Sequence, residues 1–147
     1  MIPEILQEIL PLDIVDATGG TALHTICQRF IFIKLHQEFE GYFEQLKTLL
    51  QMGANPNIKN DCGMTPILCL SSCWENILEA RVGKISYFRD AYVYKGTEFQ
   101  EIFDILLEHG AIVSLLDKFV RSISSHMNKE LFVGQPEFNY LKDKGII

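Results

Sequence analysis

Apolar positions recur at helical spacing along most of the chain, and polar stretches punctuated by glycine interrupt them. Leu23, Ile26, Cys27 and Phe30 fall at i, i+3, i+4 and i+7, one face of a helix. Phe39, Tyr42, Phe43, Leu46, Leu49 and Leu50 repeat that rhythm. Ile67, Leu70, Trp74, Ile77 and Leu78 mark a third, long helix reaching about Arg81. Phe99, Ile102, Phe103, Leu106 and Leu107 mark a fourth, starting at Thr97, where Thr97 and Gln100 have capping-box spacing. Leu115, Leu116, Phe119, Val120, Ile123 and Met127 predict a further helix. Residues 3–10 read as a short one, with Pro3 in its first turn and Pro11 as its stop. The pattern predicts an all-α protein.

The interruptions share one grammar. Leu49-Leu50-Gln51-Met52-Gly53-Ala54 ends a helix on a glycine suited to the left-handed conformation. Asn55, Asn57, Asn60, Asp61 and Gly63 then supply turn chemistry, and Thr65-Pro66 opens the next helix. Asp16, Gly19, Thr21, Leu23 and His24 form a second copy of this turn and start, with Ala22 in the proline position. Leu106-Leu107-Glu108-His109-Gly110-Ala111 nearly duplicates the helix ending, and Leu141 to Ile146 echoes it faintly. The order Leu-Leu-x-x-Gly-Ala-x-x-Asn followed by Gly-x-Thr-Pro resembles the junction between ankyrin repeats.

The resemblance implies an ankyrin-repeat helical solenoid with long insertions between the paired helices. Residues 1–15 are then an N-terminal capping half repeat, 16–58 and 59–113 expanded repeats, and 114–147 a degenerate C-terminal capping repeat lacking its turn. A regular repeat is about 33 residues long. Here Gly19 and Gly63 lie 44 apart, and Gly53 and Gly110 lie 57 apart. The first excess falls near Phe30–Glu40, where longer helices would absorb it, and the second is centred on Val82–Gly96. That second insert reads equally as a hairpin turning at Arg89-Asp90 or as a further helical turn. Eleven of the sixteen aromatic residues bracket the two inserts, which the stacking of repeats would bring side by side.

Composition narrows the function. The net charge of −6 argues against nucleic acid and anionic membrane as partners, and no apolar run is long enough to span a bilayer. The N-terminus lacks the basic start of a secretory signal, so a cytoplasmic protein is expected. Cys27, Cys62, Cys69 and Cys73 form no CxxC pair and read as free thiols in a reducing compartment. Cys62, Cys69 and Cys73 lack a fourth zinc ligand at conventional spacing, so no metal is expected. His24, three residues before Cys27, fills the histidine position of the ankyrin Thr-Pro-Leu-His, a structural role; Leu68 stands at that position in the next repeat. His36, His109 and His126 read as surface or helix-end residues. Glu38, Glu40 and Glu44 read as a solvated helix face rather than an acid–base pair, and Thr18-Gly19-Gly20-Thr21 as a turn rather than a phosphate loop.

No catalytic constellation emerges, and the expectation is a non-catalytic module that binds a partner protein, needs no cofactor and is a monomer. The resemblance places contact residues at the turn tips, Ala17, Thr18, Gly20, Lys59, Asn60, Asp61 and Met64. The aromatic insert adds Tyr87, Tyr92 and Tyr94 as exposed tyrosines over buried phenylalanines. Asn57 matches the asparagine that an asparaginyl hydroxylase modifies in the family. Expanded, irregular repeats also resemble the ankyrin effectors that intracellular bacteria deliver into host cells. The alternative is an enzyme, or an enzyme's regulatory subunit, with chemistry in the 82–96 insert.

Overall fold

The computed structural model describes residues 12–83 and 92–147. The helix expected over 3–10, and residues 84–91 of the second insert with Tyr87, lie outside them. Among the described residues six helices follow in order: α1 Ala22–Arg29, α2 His36–Gln51, α3 Pro66–Arg81, α4 Thr97–Glu108, α5 Ile123–Met127 and α6 Pro136–Asp143. Single 3₁₀ turns, Phe30–Phe32 and Glu130–Phe132, follow α1 and α5. The described residues contain no strand.

The helices form two layers. α3 packs between α1 and α5, and α4 packs between α2 and α6. The first four helices, with the 3₁₀ turn after α1, bury residues of the stripes their periodicity marks: Leu23, Cys27 and Phe30; Phe39, Leu46 and Leu50; Trp74 and Leu78; Phe99, Phe103 and Leu106. The helices of the second layer end alike. Gly53, Gly110 and Gly145 hold φ of +98°, +89° and +72°. In each case the next amide turns back to a carbonyl five residues earlier: Ala54 to Leu49, Ala111 to Leu106 and Ile146 to Leu141, all at 3.0 Å.

Several expectations change. Gly96, not Thr97, caps α4; its φ of +101° and the Pro136 side chain leave no room for a β-carbon. Thr97 lies inside the helix, and Glu98 receives the Lys95 amide at 3.0 Å instead of a Thr97–Gln100 box forming. Of the helix expected over 115–127, only Ile123–Met127 is helical, because the preceding residues build a turn. Extra length in the first repeat goes into the 3₁₀ turn, an extended link and a 16-residue α2, while α1 stays at 8 residues.

Candidate partner-binding surface

Three turns lead into the three helices of the first layer, and they match bond for bond. The first residue of each is an Asx residue: Asp16, Asn60 and Asp117. Its amide donates to the carbonyl four residues on, at Gly20, Met64 and Arg121 respectively, at 2.9–3.0 Å. Its side-chain oxygen accepts the amides two and four residues on: Thr18 and Gly20, Cys62 and Met64, Phe119 and Arg121. These bonds hold the Asp16 carboxylate below its ordinary range, the Thr18 hydroxyl contributing most. Burial pushes Asp117 upward, but the Arg121 backbone and guanidinium and the Phe119 amide outweigh it and leave its pKa lowered. Thr21, Thr65 and Ser122 then open α1, α3 and α5.

Successive turns are stitched into a ladder. The Asp61 amide donates to the Thr18 carbonyl at 2.8 Å, and the Lys118 amide to the Cys62 carbonyl at 3.0 Å. A second set of bonds ties each of the first two turns to the helix ending that follows. Asp13 Oδ1 accepts the Asn55 amide at 2.9 Å, and Asn57 Oδ1 accepts the Ile112 amide at 2.8 Å. The Asn57 amide group also donates to the Gly110 carbonyl, so both ends of the side chain proposed for hydroxylation are committed. His24 does what the resemblance implied: Nδ1 accepts the Thr21 amide at 3.0 Å, and Nε2 donates to the Met64 carbonyl at 2.8 Å in the next turn.

Among the tip residues, Ala17, Thr18, Lys59 and Asp61 are exposed, Asn60 and Met64 half-buried, and Gly20 buried. Gly20 is therefore no contact residue; it lies beneath the Asp16 carboxylate. Lys118, Phe119, Val120 and Arg121 form the third tip, where the apolar spacing of Phe119 and Val120 predicts helix instead. Spacing held the signal: Asn60 and Asp117 are 57 apart, the same interval as Gly53 and Gly110.

The two inserts meet on the other side of the helix pairs. The Tyr92 amide donates to the Ile33 carbonyl at 3.0 Å, and the Tyr94 hydroxyl to the Phe30 carbonyl at 2.7 Å. Tyr94 is 4% exposed and packs on Trp74 and Phe39, so it belongs to the core and not to a contact patch. Burial pushes its phenol far above the ordinary range. Tyr92 is half-buried, its hydroxyl bonded to His36 Nδ1 and Glu98 Oε1. A cavity of about 160 Å³ lies beside these residues, lined by Ile31, Ile77, Ala80, Arg81 and Tyr92 to Tyr94.

The remaining chemical candidates take structural places. Burial raises the thiol of Cys27 well above its usual value, that of Cys69 to about 11 and that of Cys73 to about 12. Among the described residues no group of three His, Cys, Asp or Glu is placed to hold a metal. His126 lies at a helix end, in the last turn of α5, but is buried rather than at the surface, with Nδ1 3.0 Å from Glu75. Burial raises Glu75, but hydrogen bonds from His126 and Lys129 more than reverse it. Glu38 caps α2 by accepting the Lys34 and Leu35 amides, while Glu40 and Glu44 pair with His36 and Lys47 at the surface. No helix among the described residues is long and apolar enough to cross a membrane.

A family model described as ankyrin repeats (many copies) matches residues 31–73. Over those residues the chain resembles ankyrin repeats. Its fold is that of an ankyrin-repeat domain from Acinetobacter baumannii AYE, with a TM-score of 0.58 at 23% identity over 91% of this chain. The chain spans about half of that structure, 52% of its length. No curated protein matches it. Ankyrin repeats generally mediate protein–protein interaction and are generally non-enzymatic.

Proposed function

We propose that the chain is a non-catalytic module that binds a partner protein along its row of turn tips, anchored at the third. The observation that carries this reading is Phe119. It is 61% exposed, and its ring lies 5.5 Å from the Lys118 ammonium and 5.2 Å from the Arg121 guanidinium. An exposed aromatic ring held by two cations is a ready interface anchor, preordered and largely undesolvated until a partner covers it. Lys59 and Lys118 have no carboxylate in salt-bridge reach among the described residues, so an acidic, apolar-containing segment is the complement the tips fit.

Ala17, Thr18, Lys59, Asn60, Asp61 and Met64 extend the proposed row. Tyr92 belongs to the rival surface on the inserts, to which the sequence also assigns Tyr87, outside the described residues. Affinity capture from cell lysates, comparing wild type with Phe119→Ala/Lys118→Glu and with Tyr92→Ala, separates the two. Loss of a partner with the first variant alone supports the turn row, and loss with Tyr92→Ala alone moves the site to the inserts. Retention by both variants overturns the anchoring role of Phe119. A bacterial effector acting on a host protein is one setting for such a module. The irregular, expanded repeats support it, and translocation of a reporter fusion into host cells tests it.

A further inference from the structure

The three turns differ at one place. Gly19 and Gly63 hold φ of +74°, and Val120 holds +62° in the corresponding position. The glycines serve two needs: the positive φ, and the close seat of the next turn upon them. A β-carbon on Gly19 would stand 2.6 Å from Asp61 Oδ1 and 3.1 Å from the Asp61 nitrogen. One on Gly63 would stand 2.6 Å from the Lys118 nitrogen. Those two amides are the donors of the ladder. In the third turn a β-branched side chain therefore fills the space that a fourth turn's amide would occupy. Such a residue is disfavoured at positive φ, and Val120, 72% exposed, gains little packing to offset that.

We infer that Val120 ends the ladder, closing the Phe119 carbonyl edge to any further ankyrin turn, whether of a following repeat or of a second copy of this chain. The second copy matters because the two ends of the ladder are complementary. Among the described residues, the Ala17 amide, the counterpart of the Asp61 and Lys118 amides, has no backbone acceptor. The Phe119 carbonyl, the counterpart of Thr18 and Cys62, has no backbone donor. Pairing these ends between identical chains is a head-to-tail contact, which propagates as a fibre unless its rotation closes a ring. Blocking one edge with a side chain prevents it, as edge strands of sheets are blocked. The tip's Lys118 and Phe119 side chains stay free for a partner that does not stack.

The test extends the chain in register. Gly145-Ile146-Ile147 stands where Gly110-Ala111-Ile112 does, so a copy of residues 113–147 added after Ile147 supplies a fourth turn. The extended chain is made with Val120 and with Val120→Gly, and hydrogen exchange is measured at the amide of the added lysine that copies Lys118. The inference expects exchange at loop-like rates with Val120 and at least tenfold slower exchange with Val120→Gly. Equal exchange in both overturns it. For the second copy, sedimentation of the unextended chain is expected to show association that rises with concentration for Val120→Gly and not for wild type. Equal sedimentation of the two overturns that half.

Discussion

Arg81 grips Glu137 across 56 residues of sequence. Its Nη1 lies 2.7 Å from one carboxylate oxygen and its Nη2 2.9 Å from the other. The Trp74 indole donates to the same carboxylate at 2.9 Å, and Arg81 also reaches the Tyr94 carbonyl and the Gln135 side chain. One ion pair thus fastens α3, α6 and the end of the second insert together. Glu137 is wholly buried and Arg81 largely so. Removing one partner from such a pair leaves an uncompensated charge in the interior. Glu137→Gln should lower unfolding free energy by about 3 kcal/mol in urea titration, whereas the exposed Glu101→Gln should change it by under about 0.5 kcal/mol. Equal small effects would show the pair adds little.

Gly63 and Gly110 share a positive φ but not an environment. A β-carbon on Gly110 meets nothing within 4 Å, while one on Gly63 runs into the Lys118 backbone at 2.6 Å. Gly110→Ala should therefore carry only the left-handed penalty, about 1–2 kcal/mol. Gly63→Ala should carry that and the displaced third turn. Thermal melts of the two variants check the order, and equal losses would mean the turn contact is soft.

The junctions at 16–24 and 46–66 were legible because glycine and threonine–proline chemistry is local, and each residue does there what its type does in any helix end or turn. The third turn was not, because Val120, Ser122 and Ile123 replace glycine, threonine and proline. Asp117 still makes the same bonds, and only the shared interval of 57 residues betrays it. The exposure expected of Tyr94 failed for a different reason. Its hydroxyl finds the Phe30 carbonyl, which the 3₁₀ turn after α1 presents to it. The grip of Arg81 on Glu137 depends on how far the second layer slides against the first, and no local pattern carries that.

Thr21 and Thr65 occupy one position in two repeats with opposite results. The Thr21 hydroxyl is 3.0 Å from His24 Nδ1. Leu68 stands where His24 would, and the buried Thr65 hydroxyl has no partner among the described residues. A buried, unsatisfied hydroxyl destabilises, and a bonded one stabilises modestly. Thr21→Val should lower unfolding free energy by about 1 kcal/mol, and Thr65→Val should leave it unchanged or raise it by about as much. Denaturant midpoints compared at constant slope read the difference, and a loss in both would show that Thr65 contributes through its backbone geometry.

Cys62 is exposed on the second turn, while burial holds Cys69 and Cys73 at about 11 and 12 and Cys27 higher still. The thiolate is the reactive form, so a folded chain at pH 8 should yield one prompt thiol with an aromatic disulfide reagent. Cys62→Ser should abolish it, with the other three appearing only in denaturant. A second prompt thiol would point to chemistry that the buried cysteines are not placed to do.

His24 sets a pH limit on the first two turns. Nδ1 accepts from a backbone amide, which can only donate, so the proton sits on Nε2 and goes to the Met64 carbonyl. A second proton on Nδ1 would face the Thr21 amide. Burial is the largest influence and lowers the pKa from 6.5, against the opposing pull of the Met64 and Ile58 carbonyls and Asp16. The unfolded chain therefore binds this proton more readily than the folded one. Its contribution to stability is complete above about 6.5 and is lost as pH falls from there towards the lower folded value. Asp16, Glu75 and Asp117, all held below ordinary carboxylate values, lose theirs only in a more acidic window. Urea titrations at pH 7.5 and 5.5 should show wild type losing stability across the interval. His24→Gln, though less stable at pH 7.5, should lose less across it; parallel losses would place the titration on another residue.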